Sequence, residues 1–101
     1  MQVRVILTYD ILPGRDQEYF EFLIRELTPG LSKLGLEPIE SWYTVYGKHP
    51  TILLGGIAED YRTARAIFEH PEWKVLRERL DKYVTNFQSK ILRMTPYFPL
   101  V

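Results

Sequence analysis

The chain contains no cysteine. That excludes disulfides, thiolate metal centres, iron–sulfur clusters and cysteine nucleophiles, and it removes the usual framework of a small secreted scaffold. Charge of one sign is also lacking, since Lys and Arg number 13 together and Asp and Glu number 13. No basic field exists to attract a phosphate backbone or an anionic bilayer, so neither nucleic acid nor a membrane is an expected partner. The apolar runs are short and broken by charge or glycine, too short to cross a bilayer. The opening residues Met1-Gln2-Val3-Arg4-Val5 alternate as a strand does, with no basic segment followed by an apolar signal core. A cytoplasmic protein is the expectation. Phosphate-cradling loops, dinucleotide fingerprints and Ser-His-Asp spacings are absent too, and no cofactor is expected.

What is present is 46% hydrophobic and 14% aromatic content in 101 residues. That suits one domain over residues 1–101, able to withdraw about 60–65% of its unfolded surface from water without a staple. Val3, Val5, Leu7 and Tyr9 alternate with Gln2, Arg4, Ile6 and Thr8, the period of a strand ending near Asp10. Pro13-Gly14 then breaks the chain, and Asp16 is placed to cap a following helix. Phe20, Leu23, Ile24, Leu27, Leu31 and Leu34 form one helical stripe. Thr28-Pro29-Gly30 lies inside it and predicts a kink, because proline removes a hydrogen bond and crowds the preceding turn. Gly35 suits the left-handed end of that helix, and Glu37-Pro38 favours extended backbone after it.

Residues 39–46 place bulky or β-branched groups on both faces of a second strand, and residues 51–58 carry an apolar run of strand length. Gly47-Lys48-His49-Pro50 between them reads as the turn of a hairpin. Gly55-Gly56 marks a bulge or a close approach of backbone. Asp60 caps a short helix through Ala64, Ile67 and Phe68, and His70-Pro71 restarts it, with Trp73, Leu76, Leu80 and Tyr83 continuing the stripe. Val84 onward fits either period, and a strand over residues 85–93 would complete a sheet. Residues 96–101 form an apolar tail with two prolines, expected to pack on something.

Strand, helix, strand, strand, helix, strand is the split βαβ order of a ferredoxin-like α+β domain with a four-stranded antiparallel sheet. Helices cover one sheet face. The other keeps Ile, Val, Trp and Tyr candidates in water, which predicts a homodimer burying them sheet against sheet.

The chain resembles a NIPSNAP-type member of the dimeric α/β-barrel superfamily. The likeness rests on Leu12-Pro13-Gly14-Arg15 entering a helix with Glu21-Phe22, on Gly35 leading to Ser41-Trp42-Tyr43-Thr44 and Tyr46-Gly47, and on His70-Pro71-Glu72-Trp73 opening the second long helix. It runs over roughly residues 3–94. The resemblance implies a dimer with facing sheets and a cavity between sheet and helices in each subunit. Its relatives include cofactor-free monooxygenases, haem-degrading enzymes, isomerases and ligand-sensing domains, and a fold shared so widely does not select a chemistry.

His49 in a turn and His70 before a proline read first as an exposed side chain and a helix cap. Two histidines without an adjacent third ligand do not make a metal site. The resemblance to haem-degrading relatives implies an iron-binding histidine within a helix, and neither His70 at a helix start nor the position of Asn86 near the last strand fits. The interleaved charges from Arg62 to Lys82 read as a solvated helix face, each pair worth about 0.2–0.5 kcal/mol. Tyr9, Trp42, Tyr43, Tyr46 and Tyr83 suit core or interface packing first. The sharper reading is an aromatic pocket formed by Tyr9, Trp42, Tyr43, Tyr46, His49 and Arg93, holding a flat apolar or aromatic molecule with a hydroxyl or guanidinium orienting an oxygen. A homodimeric ligand-binding domain is the leading expectation. A cofactor-independent monooxygenase or isomerase acting on a polyphenol and a protein-assembly module stay open beside it. An enclosed pocket with convergent polar groups favours the enzyme, and a side-chain-filled interior favours binding or structure.

Overall fold

A computed structural model describes the backbone of residues 1–46 and 49–93 and the side chains of residues 1–44 and 51–93. The strands are β1 (Val3–Ile11), β2 (Glu37–Tyr46), β3 (His49–Ala58) and β4 (Val84–Arg93), and the helices are α1 (Asp16–Phe22), α2 (Thr28–Leu34), α3 (Tyr61–Glu69) and α4 (Pro71–Leu80). The sheet has the order β2-β3-β1-β4 with every pairing antiparallel, the predicted ferredoxin-like α+β arrangement. The apolar tail lies outside the described residues. No helix among the described residues is long and apolar enough to cross a membrane.

β1 owes its central place to its alternation. Val3, Val5, Leu7, Tyr9 and Ile11 point under the helices, where they meet Tyr19, Phe22, Leu27, Leu31, Ala64, Ile67, Trp73 and Leu80 in one buried core. Their partners on β3 in register, Ala58, Gly56, Leu54 and Ile52, complete that face. Gly56 is small for a reason: a Cβ there would stand 2.8 Å from the Leu36 side chain and 2.9 Å from the Glu37 carbonyl.

The first helix departs from expectation in its phase. Between α1 and α2 the chain makes a π turn over Leu23–Leu27, in which the Thr28 N–H bonds the Leu23 carbonyl five residues back. A π turn carries an extra residue per turn, so the buried set becomes Tyr19, Phe22, Leu27 and Leu31, while Phe20 and Ile24 of the predicted stripe face outward, Ile24 being 73% exposed. The break expected at Pro29 is therefore taken one turn earlier, and α2 starts with proline in its first turn, where a missing N–H costs little. Asp16 is also not the cap. Arg15 holds that position with no side-chain cap bond, and Asp16 is the first helical residue.

Other punctuation is where its chemistry predicts. Gly35 ends α2 at φ +109°, and the Leu36 N–H bonds the Leu31 carbonyl at 2.9 Å, the six-to-one bond of a glycine-terminated helix. Asp60 accepts from the Thr63 N–H at 2.7 Å and His70 Nδ1 from the Glu72 N–H at 3.0 Å. The hairpin is tighter than predicted: β3 begins at His49, paired with Tyr46, so residues 49 and 50 belong to the strand and not to the turn. The irregularity near Gly55 falls on the facing strand, where register shifts between Pro38 and Glu40.

Candidate functional site

Beneath the helix-facing side of the sheet, aromatic rings from five elements touch in one continuous seam. Tyr43 of β2 lies 5.9 Å from Phe20 of α1, Phe20 is 5.2 Å from Tyr19, and Tyr19 meets Tyr9 of β1 edge to face at 5.6 Å. Tyr9 stacks on Phe87 of β4 at 6.0 Å and 8°, and Phe87 contacts Trp73 of α4 at 5.9 Å. The seam reaches solvent at Phe20 and Tyr43, 38% and 49% exposed, and is sealed inside at Tyr9 and Tyr19. Strand period places Tyr9 inward, and helix period places Tyr19 against it one turn into α1.

Within the sealed part the two tyrosine hydroxyls share a hydrogen bond of 2.5 Å. Burial raises both phenols above their ordinary 10.0. Tyr19 is pushed up to about 12, with its bond to Tyr9 pulling the other way, and Tyr9 is pushed further by burial, by the Tyr19 charge and by the shared bond. Both are therefore neutral near pH 7. They can donate and accept hydrogen bonds but cannot serve there as proton-abstracting phenolates. At the open end the Tyr43 hydroxyl faces Asp16 Oδ2 at 3.4 Å.

Space is distributed unevenly. An enclosed hollow between sheet and helices, lined by Leu7, Leu31, Leu36, Leu54, Gly55 and Gly56 among others, measures about 20 Å³, room for about one water molecule. The side chains fill much of what the family resemblance implies as a cavity. A far larger hollow of about 490 Å³ lies open on the sheet's other face, over Thr8, Trp42, Thr44, Thr51 and Leu53.

The six residues expected to form one pocket are thus spread out. Tyr9 and Tyr43 belong to the seam. Trp42 points to the opposite face and is 62% exposed. Arg93 sits at the far end of β4, its guanidinium 5.7 Å from the Tyr61 ring. The side chains of Tyr46 and His49 lie outside the described residues. Sequence reasoning did not single out Tyr19, Phe20 or Phe87 as site residues, and Trp73 entered only as core. Tyr19 had a usable signal, three residues before Phe22, but the π turn hides that phase from a regular helical pattern. Among the described residues no group of three or more His, Asp or Glu is placed to hold a metal.

No family model matches the sequence, and no curated protein matches it. Solved structures do match in fold. A NIPSNAP domain protein from Burkholderia xenovorans is 20% identical with a TM-score of 0.73, covering 98% of this chain and 99% of its own. A NIPSNAP family protein from Agrobacterium tumefaciens is 20% identical at 0.70, covering 99% and 91%. SnoaB, a cofactor-independent oxygenase from Streptomyces nogalater, is 11% identical at 0.71, covering 97% of each chain. In fold the chain is NIPSNAP-like, the class its residues resemble.

Proposed function

We propose that the protein is a homodimeric binding domain for a small apolar or aromatic molecule, pairing through the free face of its sheet. The observation that carries the binding reading is the aromatic seam, open at Phe20 and Tyr43 and holding two neutral hydroxyls within it. Aromatic walls with a few placed polar groups are what orients a flat ligand in a small site. The rings of the seam are in contact, so a ligand enters by parting Phe20 and Tyr43, which already face water. Pairing is supported by the free face, where Trp42 and Leu92 are exposed beside partly covered Ile6, Leu53 and Ile57. The cytoplasm is the compartment proposed for it.

SnoaB, a cofactor-independent oxygenase of the same fold, suggests the alternative activity. That reading needs a group to accept a proton from the substrate, and the two buried tyrosines are held protonated, which favours binding over catalysis. The test is titration with 2-naphthol followed by tryptophan fluorescence. Saturable binding, one per subunit, weakened tenfold or more by Phe20→Ala and unchanged by Arg93→Ala, is the expected result. Absence of saturable binding up to millimolar probe, or indifference to Phe20→Ala, removes the seam as a binding site.

A further inference from the structure

On the free face of the sheet, strand register sets two rows of side chains next to each other. In one row Leu53 of β3 stands between Trp42 of β2 and Thr8 of β1, and two residues along the strands Thr51 stands between Thr44 and Asp10. The open hollow of about 490 Å³ lies over these rows, lined by Thr8, Trp42, Thr44, Thr51 and Leu53. Its size is that of a small-molecule site. The aromatic seam is on the other face of the sheet, so the two places share no lining residue.

Both sides of the hollow are braced. Trp42 Nε1 donates to Glu40 Oε2 at 3.1 Å, and Glu40 is itself paired with Arg4, which holds the indole in place. On the polar side Thr51 Oγ1 donates to Asp10 Oδ1 at 2.7 Å, and Asn86 Nδ2 donates to Asp10 Oδ2 at 2.9 Å. Asn86 reaches that carboxylate from an irregularity in the sheet, where the register of β1 on β4 shifts between Thr8 and Asp10. Its φ is +57°, and among the described residues no other non-glycine residue has a positive φ. A bulge re-aims a side chain, and a left-handed asparagine persists where its surroundings hold it.

The bonding pattern selects the ligand. Thr51 directs its proton to Asp10, so toward the hollow it offers acceptor lone pairs, and the ligand must bring O–H or N–H donors. Among the described residues no Lys or Arg lines the hollow, and Asp10 adjoins it, which disfavours a phosphate or a carboxylate. A wholly apolar molecule would cover the threonine hydroxyls without bonding them. We propose that the hollow is a binding site for a neutral polyhydroxylated ring, a pyranose sugar, stacked by its C–H face on Trp42 and Leu53 with its hydroxyls on Thr8, Thr44 and Thr51. Neighbouring strands stand about 4.8 Å apart, close to the separation of alternate hydroxyls on such a ring. The site goes beyond the aromatic ligand proposed for the seam, and it does not depend on the pairing proposed for the same face.

The experiment titrates the methyl glycosides of glucose, galactose and mannose into dilute, nitrogen-labelled full chain, followed by two-dimensional NMR. With at least one glycoside, saturable shifts are expected at the Trp42 indole N–H and at the Thr8 and Thr51 amides, while the Tyr19 and Phe20 amides of the seam stay unmoved. Thr51→Val keeps the shape and removes the acceptor, and is expected to raise the Kd of that glycoside tenfold or more. Trp42→Ala is expected to raise it at least as much. Absence of saturable shifts with all three glycosides overturns the proposal. Shifts that survive both substitutions also overturn it, because the sugar then sits elsewhere. Benzylamine or 2-naphthol that moves the Trp42 and Thr51 signals where no glycoside does assigns the hollow to an aromatic or cationic ligand and overturns the sugar. Should either variant fail to fold by circular dichroism, Thr8→Val replaces it with the same tenfold expectation, and an unchanged Kd again overturns the proposal.

Discussion

Alternate residues of β1 meet opposite surroundings on the two faces of one sheet. Val3, Val5, Leu7, Tyr9 and Ile11 are each 2% exposed or less, while Arg4, Ile6, Thr8 and Asp10 between them are only partly covered. The helix-facing side is a finished core of interlocking aliphatic and aromatic groups. The other side is mixed: aliphatic residues and Trp42 share it with the ion pair between Arg4 and Glu40 and with Asp10, which accepts from Thr51 at 2.7 Å and Asn86 at 2.9 Å. Apolar groups that are partly covered beside polar groups that are tightly organised fit the pairing proposed for this face. A core would have excluded the charges, and a purely solvated face would have spared the tryptophan.

The sharpest way to break that comparison is to truncate one residue on each face. Leu7→Ala removes a fully buried side chain and is expected to cost about 2–5 kcal/mol in urea denaturation, equally at low and high protein concentration. Ile6→Ala, its neighbour on the free face, is expected to cost about 1 kcal/mol or less in dilute protein and more as concentration rises and the face becomes covered. A cost for Ile6→Ala that ignored concentration would place both faces in the same class.

A second contrast lies within the finished side, between its aliphatic and phenolic parts. Tyr9→Phe leaves the Tyr19 hydroxyl buried without its partner, an expected loss of about 1–3 kcal/mol. Adding Tyr19→Phe is expected to return part of that loss, because no orphaned hydroxyl remains. The pair also sets an alkaline limit. The unfolded phenols ionise near 10.0 while folded Tyr19 holds its proton to about 12, so the stability that neutrality contributes is present below pH 10 and lost as pH rises toward 12. The double phenylalanine variant is expected to show a shallower alkaline decline, read by circular dichroism across that window.

Trp42→Glu probes the unfinished side alone. Trp42 is exposed in the single chain, so its loss is expected to leave the dilute thermal midpoint nearly unchanged and, on the proposed pairing, to shift light-scattering mass toward the monomer. Tyr43→Glu serves as the contrasting variant, since Tyr43 lies in register with Ile52 and touches Phe20 on the helix side. The sequence reading grouped both aromatics in one pocket. Only Trp42 lies on the free face, and equal effects of the two substitutions would deny the sheet its separation into two functions.

How far the fold was legible follows from which signals are local. The alternation of β1, Gly35 at a left-handed helix end, Asp60 and His70-Pro71 at helix starts, and the order of the four strands all depend on backbone demands of one or a few residues. The π turn at Leu23–Leu27 does not. It depends on how α1 and α2 both reach the sheet while Gly30 passes close to Leu76 of α4, where a Cβ would stand 2.6 Å from the leucine Cδ1. That packing is tertiary, and it moved the helical stripe off Phe20 and Ile24. The candidate site suffered from the same cause. Tyr9 and Tyr43 could be proposed from side-chain type, but their union through Tyr19 and Phe20 required the true helical phase. The spread of Trp42 and Arg93 to other parts of the sheet required the register of β2 and the length of β4.

The smallest expected effect belongs to a local feature that neither face decides. Asp60 caps α3 through the Thr63 N–H, and bonding from the Thr63 backbone, then from the Thr63 side chain, lowers its carboxyl below the ordinary 3.8. A lowered folded value means that the cap contributes above the unfolded value and is lost as pH falls through the folded one. Asp60→Asn is expected to lower the thermal midpoint slightly at neutral pH, since an amide oxygen still accepts the bond, and Asp60→Ala somewhat more. For both, the gap from the natural chain should close as the solution is acidified and the natural carboxylate takes up its proton. A gap for Asp60→Ala that persisted undiminished at acid pH would mean that residue 60 acts through backbone geometry, its extended φ of −157° at the helix entry, and not through the charge it offers to the first turn.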